Sequence, residues 1–180
     1  MLQLKIGDAS FYDEKTESFY DIKGQTINLE HSLVSISKWE AKWKKPFLSR
    51  TPKTREETLD YIRFMTITQS VNPLLYSLIT DSMIEEVNHY IDDPMTATTF
   101  RKVEGKGSAP KTITSEEIYY YMTAYQIPFE CQKWHFNRLM TLIKVCDEKN
   151  RPKKKGRRGE NRANWSKANA ARRAAMGSKG

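Results

Sequence analysis

The sequence predicts an α+β fold that is mainly α: a small N-terminal antiparallel β element packed on a helical domain, followed by a disordered basic tail. Three observations carry this prediction. Residues 1–37 read as short runs rich in Ile, Val, Phe and Tyr, punctuated by turn residues. Residues 38–148 contain repeated helix-start signals and apolar residues at helical spacing. From residue 149 to residue 180 the composition shifts to Lys, Arg, Asn, Ala and Gly, with Trp165 and Met176 the only large apolar side chains.

In the β element, LQLKI, ESFYDI and QTINLEHSLVSIS are the expected strands, with turns at Asp13-Glu14-Lys15 and Lys23-Gly24-Gln25. So small a sheet, or pair of hairpins, must pack on helices or on another chain, and a free edge would accept a strand from a neighbour. In the next segment, KWEAKWKKPFLSR, Trp39 and Trp43 stand four residues apart and share a face if the segment is helical. They serve either to cover the core or, with Lys38, Lys42, Lys44 and Lys45, as platforms for nucleic acid; Glu40 interrupts that patch.

Thr54 and Glu57 have capping-box spacing and open a helix over about 55–66 that buries Leu59, Ile62 and Met65. Asn72-Pro73 pairs an N-cap with a first-turn proline, opening a short helix through Leu78. Thr80 or Asp81 starts the next, with Met83, Ile84, Val87 and Ile91 inward, and Asp92-Asp93-Pro94 stops it. A β-hairpin is expected over 98–113, with EGKGSAP as its loop; this loop lacks the P-loop pattern of a phosphate cradle. Thr114 and Glu117 form a second capping box. Pro128 should open the last core helix, whose apolar face is Phe129, Phe136, Leu139, Met140 and Ile143, widened by Trp134, Leu142 and Val145.

No catalytic constellation emerges, and the chain is expected to be non-enzymatic with no cofactor. HExxH, CxxC, GxSxG, Walker and Rossmann patterns are all absent. Cys131 and His135 stand four apart, a spacing that suits two metal ligands on one helical face, but no third ligand is near and no metal is expected. Cys131 and Cys146 are fifteen residues apart, ~22 Å along a straight helix. That exceeds the ~7 Å reach of a disulfide, so both should be free thiols. The chain shows no signal peptide and no apolar run near the ~20 residues a membrane helix needs. A soluble, cytoplasmic protein without membrane contact is expected.

Charge divides the chain. Residues 149–180 hold twelve Lys and Arg against one acid, Glu160, a net of +11, whereas 1–148 hold 18 basic and 21 acidic residues, a net of −3. The tail is therefore the segment with a physical case for binding. Lys153, Lys154, Lys155, Arg157, Arg158, Arg172 and Arg173 supply the cations and Trp165 an aromatic face. Such a tail can release counterions from nucleic acid and stack on bases, or fold onto an acidic protein surface, or serve only as a solubilising end. Within it, NWSKANAARRAAMG has the composition of a helix that forms on binding.

The segments SKWEAKWKKPFL, KTREETLDYIRFMT, DDPMTATTF and ITSEEIYYYMTAYQIPFECQKWHFNRLMTLIKVC, with the terminal ARRAAMGSKG, resemble tail assembly chaperones of bacteriophages with long non-contractile tails. The likeness covers roughly residues 35–180 and is one of overall pattern. It implies a small, largely helical protein of the infected host's cytoplasm, absent from the mature virion. Such chaperones bind the tape measure protein, keep it soluble and leave as tube subunits polymerise around it. They are often made in two lengths by a programmed frameshift, the body self-associating and the C-terminal extension contacting the client. The β-rich start departs from an all-helical chaperone, and a tail of this charge also suits DNA or RNA. The alternative is a structural virion protein, a connector or completion component, whose basic tail contacts DNA or an acidic neighbouring subunit.

Overall fold

The computed structural model describes residues 1–14, 17–100, 112–151 and 158–177. It divides into two units, Met1–Cys146 and Asp147–Gly180. The first contains the hydrophobic core, whose buried members run from Leu4 to Ile143.

Four strands open the chain: β1 (Leu2–Ile6), β2 (Ala9–Asp13), β3 (Ser18–Ile22) and β4 (Gln25–Leu29). β1 pairs antiparallel with β4, from Leu2↔Leu29 to Ile6↔Gln25, and β2 with β3, from Ala9↔Ile22 to Asp13↔Ser18. The register is continuous across both ladders, so the element is one long hairpin interrupted at a waist where Gly7-Asp8 faces Lys23-Gly24. Gly24 is required there: a Cβ would lie 2.3 Å from the Ile6 carbonyl oxygen. Its N–H donates to Asp8 Oδ1 at 2.6 Å, which fixes the crossing. The inner half alternates, with Leu4, Ile6, Ile27 and Leu29 buried on one face. The far edge of β4 is closed by residues 65–67, through Ile67 N–H to the Asn28 carbonyl (2.8 Å) and Glu30 N–H to the Met65 carbonyl (2.9 Å). β2 was not anticipated by the sequence reading.

The third expected strand, 25–37, ends at Leu29 instead, and α1 (Leu33–Trp43) takes over. Ser32 is its N-cap: Ser35 N–H donates to Ser32 Oγ and Ser32 N–H to Ser35 Oγ, a capping box built from serines. Leu33, Ile36 and Trp39 then fall on a buried face that a strand would have split between two sides. Trp39 is core, its indole N–H donating to the Glu57 carbonyl at 2.9 Å. Trp43 is half-buried, with Lys42 and Lys45 over its ring.

The helix starts at Thr54 and Thr114 fall where expected. α2 spans Arg55–Met65 with Ile62 and Met65 buried and Leu59 half-buried. Pro73–Leu78 forms a 3-10 helix, and α3 spans Asp81–Asp92 behind Thr80. α4 spans Ser115–Ala124. Of the hairpin expected over 98–113, residues 101–111 lie outside the described residues. Thr98–Phe100 and Thr112–Ile113 carry no strand.

The last core helix is not continuous. Pro128 leads into a 3-10 turn, Phe129–Lys133, and α5 starts afresh at Phe136 and runs to Asn150. The break has a cause: His135 bridges Ser32, and Phe136 N–H donates to the His31 carbonyl at 2.7 Å, which a helical 132–136 could not do. Phe129 accordingly leaves the expected core face and is 54% exposed. Phe136, Leu139 and Ile143 hold the core side of α5. Cys131 and Cys146 are both free, but they sit on different elements rather than on one straight helix.

The second unit contains α6 (Arg158–Ala175). A disordered tail was expected, with helix on binding over 164–177; the helix begins six residues earlier and spans 18 residues. From Trp165 to Gly177 its side chains are exposed, Asn169 alone being half-buried. Over its described side chains, from residue 165 onward, little apolar surface is buried, and alanine and arginine there favour helix by propensity.

Candidate functional site

Of the residues singled out as binding groups, Lys153, Lys154, Lys155 and Arg157 lie outside the described residues. Arg158 is the first residue of α6. Trp165, Arg172 and Arg173 are brought together by helical spacing. Trp165, Asn169, Arg172 and Met176 stand at i, i+4, i+7 and i+11, with Arg173 beside them, and form one stripe. Ala170, Ala171 and Ala174 fall on the opposite side. The stripe joins an indole that is 74% exposed to two guanidinium groups. This combination suits an acidic partner carrying apolar or planar groups, since guanidinium pairs with carboxylate or phosphate and also stacks.

Two buried acids of the body, Glu40 and Glu57, are tied up in structure. Glu40 is buried at the junction of α1 and α4: Oε1 accepts the Phe47 N–H at 2.7 Å, and Oε2 accepts the Ser115 N–H at 2.8 Å and the Ser115 hydroxyl. A carboxylate there also meets the positive end of α4. Glu57 closes the capping box of α2 and binds Lys45 at 2.6 Å, and those two contacts hold its carboxyl below the usual range.

His31 and His135 form a buried aromatic pair with ring centroids 5.2 Å apart. His31 Nδ1 shares a hydrogen bond of 2.5 Å with the Tyr61 hydroxyl, which also meets Ser35 Oγ at 3.3 Å. Burial, then His135 and Lys53 nearby, push His31 down to about 3, and burial pushes the Tyr61 phenol up. Both are neutral. His135 donates from Nε2 to the Tyr90 carbonyl at 3.1 Å, and burial lowers its pKa also. A serine, a tyrosine and two histidines so placed look like acid–base machinery. The Ser35 hydroxyl donates to the Ser32 carbonyl at 2.8 Å, and His31, Ser35 and Tyr61 are each at least 98% buried, with Tyr61 also lining a small cleft beside Lys53, Thr58 and Asn88. Among the described residues no group of three His, Cys, Asp or Glu side chains can hold a metal, and no helix is long and apolar enough to cross a membrane.

In the ribbon β2–β3, the expected strand ESFYDI contains β3, and β2 is the feature sequence reasoning missed. The signal was present as a repeat: Ser-Phe-Tyr-Asp occurs at 10–13 and again at 18–21. Antiparallel pairing places each copy against the other, Ser10 opposite Asp21, Phe11 opposite Tyr20 and Tyr12 opposite Phe19. Phe11 and Tyr20 stack at 5.9 Å, Tyr12 and Phe19 meet at 5.0 Å, and the Ser10 hydroxyl donates to Asp21 at 2.5 Å. Phe11 and Ile22 point toward the core, leaving Tyr12, Phe19 and Asp21 on the outer face, Phe19 being 74% exposed. A surface cleft of about 470 Å³ at the waist is lined by Asp8, Ala9, Ser10, Asp21, Ile22 and Lys23.

No protein-family model, curated protein or solved structure matches this chain.

Proposed function

We propose that this protein is a non-enzymatic tail assembly chaperone of a long-tailed bacteriophage, acting in the host cytoplasm. In this reading the body is a stable platform and residues 149–180 grip the tape measure protein. The carrying observation is the exposed stripe of Trp165, Arg172 and Arg173 on α6, a helix whose described side chains bury little surface. A long helical client with acidic and apolar residues offers carboxylates for the guanidinium groups and a surface for the indole. The pattern resemblance over roughly residues 35–180 supplies the identity of that client. A helix whose described part is not fixed by a core also suits a chaperone that must release, because ordering on the client offsets part of the binding free energy.

The test is co-expression with the tape measure protein of the same phage, followed by pull-down at low and moderate salt. The expected result is a soluble tape measure protein that co-purifies with the full chain and is lost when 149–180 is removed. The second reading, a connector or completion protein, is favoured by the tail's net charge of +11, which also fits packaged DNA. In that case the tape measure protein stays insoluble, and mass spectrometry finds this chain in purified virions at a copy number set by symmetry.

A further inference from the structure

The small cleft that Tyr61 lines has apolar walls and a single cation. It holds about 140 Å³, with Phe47, Ile62, Val87 and Ile91 among its apolar lining. The Tyr61 hydroxyl is turned to His31 and Ser35, and the Thr58 hydroxyl donates to the Thr54 carbonyl at 2.9 Å. Lys53 and the exposed Asn88 are the polar groups left to meet a ligand.

Lys53 is set apart from the cations around it. It is half-buried, its ammonium donates to the Phe47 carbonyl at 2.9 Å, and it lies over the Phe47 and Trp39 rings, 4.2 and 5.6 Å from their centroids. An ammonium has three donors, and the carbonyl takes one of them. Lys42, Lys45 and Arg55 have side chains at least 50% exposed, and each pairs with a carboxylate, those of Asp60, Glu57 and Asp81. Lys53 is more covered than these and forms no ion pair among the described residues. Burial lowers its pKa, and the charge of Glu57 opposes that shift. A charge withdrawn from water is costly unless it is paired, so the polar end of the cleft suits an anion and the lining suits an apolar body.

Two further observations narrow the ligand. Residues 81–93 carry five acids and no Lys or Arg, and Glu85 and Asp92 stand within about a turn of Asn88. A second negative charge on the ligand would meet them, so one charge is favoured over two. A cleft of about 140 Å³ matches roughly five waters at ~30 Å³ each, which limits the apolar body to a few carbons.

We propose that this cleft binds a small monocarboxylate with a short branched aliphatic chain. The carboxylate sits on the Lys53 ammonium, with the Asn88 amide as second donor, and the alkyl group lies against Phe47, Ile62, Val87 and Ile91. The site is built from residues 47–91 alone, so it stands or falls apart from the tail and its client.

The experiment is a titration of the full, ¹⁵N-labelled chain with 3-methylbutanoate, followed by amide chemical shifts. Saturable shifts are expected at Lys53, Asn88 and Ile91, with a Kd in the millimolar range that suits so small a ligand. The neutral isostere 3-methylbutanamide and the dianion methylbutanedioate should each bind at least ~10-fold more weakly, as should Lys53→Met against the acid. Asn88→Phe keeps the cation and closes the mouth from an exposed position, so it should lose binding with the fold intact; it decides the matter if Lys53→Met does not fold. Shifts that do not saturate, or that trace exposed lysines and arginines elsewhere, would overturn the proposal. So would equal binding of acid and amide, or binding that survives both substitutions.

Discussion

α2 and α6 are supported in opposite ways. α2 has 11 residues, a capping box at Thr54, and Tyr61, Ile62 and Met65 buried, with Asp60 bound to Lys42 of α1. α6 has 18 residues and a half-buried Asn169 as its most covered described side chain. The shorter helix is fixed by the core, and the described part of the longer one, 165–175, is not. The difference teaches that burial fixes α2 and leaves the described face of α6 open, so under the proposed function substitutions that affect stability and binding should segregate between the two.

The largest effect is expected in the core. Leu29 is fully buried between β4 and the helices, and Leu29→Ala should cost about 4 kcal/mol by urea unfolding. Glu40→Ala comes next, at about 3 kcal/mol. It removes the acceptor of two backbone N–H groups and one hydroxyl, and amide exchange at Ser115 should accelerate with it. Both variants should leave tail-dependent binding intact once folded.

A smaller, pH-dependent effect follows from His31. Its folded pKa is depressed from 6.5 to about 3, so between those values the unfolded chain binds a proton that the folded chain does not. Stability should therefore fall as pH drops below about 6.5, by at most ~1.4 kcal/mol per pH unit from this group. The lowered pKa of His135, which faces Glu30, Asp93 and the N-terminus, adds in the same direction. His31→Gln should flatten the slope, and urea midpoints measured from pH 7.5 to pH 5 would check it. The smallest effect belongs to α6: Trp165→Ala should change the body's stability by no more than about 0.5 kcal/mol.

Much of this organisation was legible in the sequence where a local signal sufficed. The Thr54 and Thr114 capping boxes, Pro73 behind Asn72, and the charge step at residue 149 all depend on residues within a few positions of one another. What escaped depends on distant partners. The first five residues of α1, 33–37, read as strand because Val34 and Ile36 are β-branched, and its cap uses serine where glutamate is the usual signal. The break at Trp134-His135 is imposed by His31 and Ser32, about a hundred residues earlier. Glu40 reads as a surface residue between lysines until Ser115 arrives from α4. The ribbon was different: its Ser-Phe-Tyr-Asp repeat was local and visible, but becomes informative only when the antiparallel register sets the two copies face to face.

The central claim is that residues 149–180 bind while the body stands without them. It is tested most directly by comparing the full chain with residues 1–148 in two readings: thermal unfolding by circular dichroism, and capture of the co-expressed tape measure protein. The account predicts a cooperative transition of the shortened chain at nearly the full-length temperature, with capture lost. Capture by 1–148 equal to that of the full chain would contradict it.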